Sequence, residues 1–155
     1  ILDDGTVYAQ SRKRLITPES DNYGFARWVD SNADVLRLLL GPGLHFGEYW
    51  GQGIGRRYDM DRKIFSLFNT SRWGGLNHEI GVRPVPVLYE GPFSENAVKD
   101  ALHGLEVYGS VAAPGFHDPE GVVVYHTAAN SMWKVTISGD EKPKGSAEAM
   151  ESMDY

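Results

Sequence analysis

A chain of 155 residues is sized for one domain, whose core buries roughly two-thirds of the surface the unfolded chain exposes. The absence of cysteine excludes a disulfide scaffold, a thiolate zinc site and a cysteine nucleophile, and no apolar run approaches the roughly 20 residues that span a bilayer. A net charge of -6 excludes attachment to nucleic acid by general electrostatics alone; with no basic-apolar leader at Ile1, the expectation is a cytoplasmic protein with no membrane and no disulfide partner.

The chain reads as though it opens in mid-strand. Ile1-Leu2 is apolar, Asp3-Asp4-Gly5 is turn chemistry and Thr6-Val7-Tyr8-Ala9 is strand-like, so a first hairpin is predicted there with its first strand cut short. Ser11-Arg12-Lys13-Arg14 is a basic run, and Phe25, Trp28 and Val29 fall on one face of a helix. Ser31 is a candidate cap for a second helix, carried by Val35 to Leu40 and stopped by Gly41-Pro42-Gly43. Strands are predicted over Leu44 to Trp50 and Lys63 to Asn69, with a Gly- and Arg-rich loop between them. A long loop to Pro84 follows, then a short edge strand from Val85 to Tyr89, interrupted by Pro86. Ser94 caps a helix with Val98, Ala101, Leu102 and Leu105 at helical spacing, and Gly121 to His126 pairs with Met132 to Ile137. The order predicts an α+β domain over residues 1–145 with antiparallel sheets and flanking helices, and an acidic tail over 146–155.

Several chemistries have no support. Gly51-Gln52-Gly53-Ile54-Gly55 lacks the third-glycine spacing and the following helix of a dinucleotide loop. No two of the five histidines stand three to five apart, and there is no His-Glu-x-x-His. Asn69-Thr70-Ser71 fits a glycosylation acceptor only formally, and no spacing supports Ser11 as a nucleophile. Two carboxylates stand out. Glu48 sits in the apolar stretch His45 to Trp50, and Glu120 precedes Gly121-Val122-Val123-Val124; a carboxylate beside such runs is costly unless it meets a cation, a metal or a hydroxyl. Each reads equally well, taken alone, as a solvated turn residue. Lys134, between Trp133 and Val135, reads as a solvent-facing strand residue, Phe68 as core and Arg12 as part of a solvated basic face.

Taken in order, these segments resemble the nucleotidyltransferase domain of ATP-dependent RNA ligases, in the branch of RNA-editing ligases and phage repair ligases. Tyr8-Ala9-Gln10-Ser11-Arg12-Lys13-Arg14 resembles the strand and Ser-Arg pair that follow the family's nucleophile motif. Phe46-Gly47-Glu48-Tyr49-Trp50-Gly51-Gln52-Gly53-Ile54 resembles the third motif and Phe65-Ser66-Leu67-Phe68-Asn69 the adenine-stacking strand. Glu120-Gly121-Val122-Val123 resembles the fourth motif and Trp133-Lys134-Val135 the fifth. The resemblance implies an antiparallel-sheet nucleotidyltransferase (ATP-grasp-like ligase) fold. It also implies a reaction: a lysine attacks the α-phosphate of ATP, and AMP passes to an RNA 5′-phosphate. A 3′-hydroxyl then displaces AMP. The implied cofactors are ATP and Mg2+, and the partners are RNA ends. Arg12 would contact the nucleotide sugar or RNA end, Glu48 would accept a ribose hydroxyl, and Phe68 would stack on adenine. Glu120 would hold the metal and Lys134 would neutralise charge at the α-phosphate.

Two departures are visible. No Lys-x-Asp-Gly-x-Asn motif occurs, and the first lysine, Lys13, falls beyond its place, so the nucleophile is expected upstream of Ile1 in an N-terminally truncated domain. Thr136 stands where the fifth motif carries a second lysine; Lys142 and Lys144 are candidates to compensate. The alternative reading is a non-catalytic nucleotide- or RNA-binding module of the same fold. An unrelated reading is a glycoside hydrolase with Glu48 and Glu120 as its carboxylate pair.

Overall fold

The basic run that reads as a solvated face turns the chain's first paired strands. A computed structural model of the chain, describing residues 1–139, pairs β1 (Ala9–Gln10) antiparallel with β2 (Leu15–Ile16), so the hairpin tip is Ser11 to Arg14. Asp3-Asp4-Gly5 does form a turn, closed from the Gly5 amide to the Leu2 carbonyl, but no strand pair flanks it. The acidic tail, Lys142 and Lys144 lie outside the described residues.

The described residues fall into two compact units: Ile1–Arg57 with Asp61–Val85, and Tyr58–Met60 with the chain from Pro86 onward. In the first unit, α1 (Phe25–Ser31) presents Phe25 and Trp28 in a stack with ring centroids 5.8 Å apart, while Ala26 and Val29 are buried. Its first turn is not capped from the adjacent Gly24. The Asp21 carboxylate instead accepts the backbone N–H groups of Asn22, Ala26 and Arg27 at 2.7, 2.7 and 3.0 Å. Burial raises the Asp21 pKa, but these amides and the Arg27 charge outweigh it and hold the carboxyl below its ordinary value of 3.8. A carboxyl depressed by folding stabilises the native state above its unfolded pKa, and that stabilisation is lost as the pH falls through the folded value. Asp21→Ala is therefore expected to cost about 0.5–2 kcal/mol at neutral pH, and Asp21→Asn to flatten the acid side of the stability profile. Urea midpoints at neutral pH and at about pH 3 check both.

Ser31 is not the cap of the second helix. It completes α1, and Asn32 takes the junction, with its N–H bonded back to the Trp28 and Val29 carbonyls. α2 (Ala33–Leu40) then buries Leu36 and Leu40, one turn apart, and ends at Gly41 with φ 69°.

The sheet of this unit has the order β3-β4-β5. β3 (Gly47–Gly51) runs antiparallel to β4 (Lys63–Leu67), and β5 (Val82–Pro84) runs parallel to it. The α+β class holds, but this sheet is mixed rather than purely antiparallel. The edge strand expected over Val85 to Tyr89 forms three residues earlier. The Val85 N–H still reaches the Leu67 carbonyl at 2.9 Å, and Pro86, which has no N–H, cannot carry the ladder further. The preceding loop contains a short helix, α3 (Thr70–Trp73), whose N-cap is Asn69: its side chain accepts the Arg72 N–H. One face of the sheet packs Tyr49, Phe65, Leu67 and Val82 with α1, and Phe25 meets Tyr49 and Phe65 at 5.0 and 5.2 Å.

In the second unit, α4 (Glu95–Tyr108) starts as its sequence predicts, with Ser94 Oγ accepting the Ala97 N–H at 3.2 Å. It packs against β6 (Gly121–His126), which pairs antiparallel with β7 (Ser131–Thr136). Among the described residues, no helix is long and apolar enough to cross a membrane.

Candidate functional site

Strand alternation sorts the ligand candidates of the first unit onto one sheet face. Tyr49, Phe65 and Val82 point into the core, so their neighbours point the other way. Glu48 lies opposite Ser66, which lies opposite Arg83; Trp50 lies opposite Ile64. Phe68 continues the face beyond the end of β4, where its N–H donates to the Phe46 carbonyl at 3.0 Å. Glu48 and Phe68, chosen from separate segments, thus share one face. Glu48 is exposed and Phe68 half-buried.

Gly47 makes this register possible. A Cβ there would stand 2.4 Å from the Ser66 carbonyl oxygen and 2.6 Å from the Phe65 ring, so only glycine fits beside Glu48. The same face holds residues that sequence reasoning passed over. The Trp50 indole N–H donates to Ser66 Oγ at 2.8 Å, with both residues buried, and the Arg83 guanidinium lies 5.6 Å from the Trp50 ring centroid. Burial, then the charge of Arg62, pulls the Arg83 pKa down from its ordinary value. Arg83 was hidden because its strand reads as loop. Ser66 carried a signal, as the one hydroxyl inside Ile64-Phe65-Ser66-Leu67-Phe68.

Arg12 is exposed at the tip of the first hairpin. Ser11 organises that tip: its Oγ accepts the N–H groups of Lys13 and Arg14 at 3.3 and 3.2 Å. The Arg14 guanidinium donates to the Ser20 carbonyl at 3.0 Å and holds the base of the loop.

In the second unit, the fourth and fifth segments meet. Lys134 Nζ lies 2.5 Å from Glu120 Oε1, with the two side chains 46% and 44% exposed. The ladder delivers them: the Ile137 N–H donates to the Glu120 carbonyl at 3.0 Å, and Lys134 lies opposite Val123. Gly121 is again obligatory, since a Cβ would stand 2.0 Å from the Val135 carbonyl oxygen. The Glu120 N–H donates to the Tyr58 hydroxyl at 3.3 Å, a contact no sequence pattern announces. Thr136, in place of the expected second lysine, lies opposite Gly121 with its Oγ1 buried and without a hydrogen-bond partner. It supplies no cation.

Among the described residues, no group of three or more His, Asp or Glu side chains could enclose a metal ion. Glu120 offers one hard carboxylate beside an ammonium. A single carboxylate already paired with an ammonium is not an all-protein metal cage. Burial first of all lowers the His45 pKa, and its Nε2 meets the Gly41 carbonyl oxygen at 2.7 Å, at the end of α2. Two shallow depressions, of about 390 and 230 Å³, run along α4 by Leu88 and Ala101 and include none of the five predicted residues.

No family model matches the chain, and neither a curated protein nor a solved structure matches it.

Proposed function

We propose that this chain is the adenylyltransferase domain of an ATP-dependent RNA ligase, acting in the cytoplasm on RNA 3′-hydroxyl and 5′-phosphate ends. The observation that carries the reading is the Glu120–Lys134 pair. Residues selected from two separate segments for neighbouring roles at a phosphate lie within hydrogen-bond distance of each other.

The chemistry of the pair supports an exchange of partners. A carboxylate and an ammonium at 2.5 Å neutralise each other in the absence of ligand, and both are accessible to solvent. A nucleotide phosphate can take over the ammonium, whose three donors follow negative charge as it develops on the transferring phosphoryl oxygens. Mg2+, held through Glu120 and the phosphates, supplies charge neutralisation when bound. Neither side chain is then left unpaired.

In the first unit, the outward carboxylate of Glu48 is suited to accept a hydroxyl, and the Phe68 ring offers a flat apolar surface of the kind a base stacks on. Arg12, exposed on a loop that Ser11 braces, contacts the nucleotide sugar or an RNA phosphate. The cationic groups Arg12, Lys13 and Arg14 make a local basic surface on a chain of charge -6, so RNA affinity falls steeply with added salt.

The chain holds no Lys-x-Asp-Gly-x-Asn sequence, so the expected result is binding without covalent labelling. Calorimetric titration with Mg-ATP should give saturable binding, and intact-mass measurement after incubation should show no AMP adduct. Absence of ATP affinity overturns the reading. An adduct on a lysine of this chain overturns the role given to the missing motif. Stabilisation by oligosaccharides instead of ATP points to the hydrolase reading.

A further inference from the structure

We infer that Tyr58 is a positioning residue that sets the start of β6 so that Glu120 faces Lys134; the inference rests on the nucleotide reading of that pair. Two contacts within the second unit carry it. The Tyr58 hydroxyl accepts the Glu120 N–H at 3.3 Å, and the Tyr58 ring lies 4.7 Å from that of Phe116. One side chain therefore braces the segment 116–120 at its beginning and at its last residue before the strand.

The backbone that presents this side chain is unusual. Arg57, Tyr58 and Asp59 have φ of 60°, 50° and 52°, three successive non-glycine residues in the left-handed region. Such a run is unfavourable for L-residues and persists only where surrounding contacts over-determine it. Glycine would adopt these angles at little cost, and the chain does use it close by, at Gly53 and Gly55. A tyrosine in the middle of the run keeps a ring and a hydroxyl that glycine lacks, and both are engaged. Gly121 prevents Glu120 from being fixed through a side chain on its C-terminal neighbour, and Pro119 on its other side has no N–H to donate. The Glu120 amide is thus a natural handle for orienting its carboxylate.

Tyr58→Phe is the test, because it removes the hydroxyl and keeps the ring on Phe116. Three measurements on the 155-residue chain are compared with the unsubstituted protein: amide hydrogen exchange at Glu120 by NMR, thermal midpoint, and ATP affinity with Mg2+ and with EDTA. Exchange at Glu120 should accelerate roughly two- to twelvefold, as for loss of one ordinary hydrogen bond. Affinity for ATP should fall by a similar factor with Mg2+ and stay level in EDTA, with little change in thermal midpoint. Unchanged exchange at Glu120 overturns the inference. So does an equal loss of affinity in both buffers with a lowered midpoint, which describes a structural residue alone. An unsubstituted chain that does not bind ATP overturns the nucleotide reading itself, and the positioning role with it.

Discussion

Lys134→Ala is expected to lower affinity for Mg-ATP by roughly 10- to 150-fold while leaving the fold almost as stable as before. The two magnitudes come from different physics. A hydrogen bond to a charged partner contributes about 1.5–3 kcal/mol, which sets the loss when a phosphate can no longer meet the ammonium. The ion pair with Glu120 is nearly half exposed, and exposed pairs contribute about 0–1 kcal/mol to stability. Binding and folding therefore separate cleanly at this position, as calorimetric titration and urea unfolding would show. Glu120→Gln gives the complementary result. It leaves Lys134 without its carboxylate, so ATP affinity in EDTA should be retained or rise, whereas Mg2+ should no longer strengthen binding. If Lys134→Ala binds Mg-ATP normally, the pair is a surface salt bridge and the fifth segment carries no ligand.

Local chemistry made parts of this fold legible. Ser94 followed by a helical apolar pattern identified α4 and its cap, and Gly41-Pro42-Gly43 marked the end of α2. The β6–β7 pair was readable from its valine run, to within one residue at each end of β7. What stayed hidden depends on contacts distant in sequence. β5 exists because Val82 and Arg83 pair with Phe65 and Ser66 across a parallel ladder, and three residues with a terminal proline give no periodicity to detect. Asp21 replaces the local cap of α1 by reaching across four intervening residues to Ala26, beyond the spacing of a capping box. The site divides in the same way. Glu48, Phe68 and Glu120 were visible as polar or aromatic residues at the ends of apolar runs, and Lys134, inside a strand, stood out only through the resemblance of its segment. Tyr58 and Arg83 lie in segments that read as loop, and only the folded register gives them partners.

Phe68 is the position where burial and ligand binding are hardest to separate, and the expected result needs two variants. Stacking of a base on an aromatic ring contributes about 1–3 kcal/mol, so Phe68→Ala should weaken ATP binding roughly 5- to 150-fold. Truncating a fully buried phenylalanine costs about 3–5 kcal/mol of stability, and Phe68 is only half-buried, so a fraction of that loss is expected as well. The two effects are similar in size, and a partly unfolded protein would mimic a lost stack. Phe68→Leu restores most of the apolar volume at the end of β4 without restoring a π-face. The backbone contact with Phe46 is made by the main chain and survives either change. If Phe68 stacks on adenine, the leucine variant regains stability but not affinity. If Phe68 only fills the sheet end, the leucine variant regains both, and the adenine-stacking role passes to another residue on that face or disappears with the nucleotide reading.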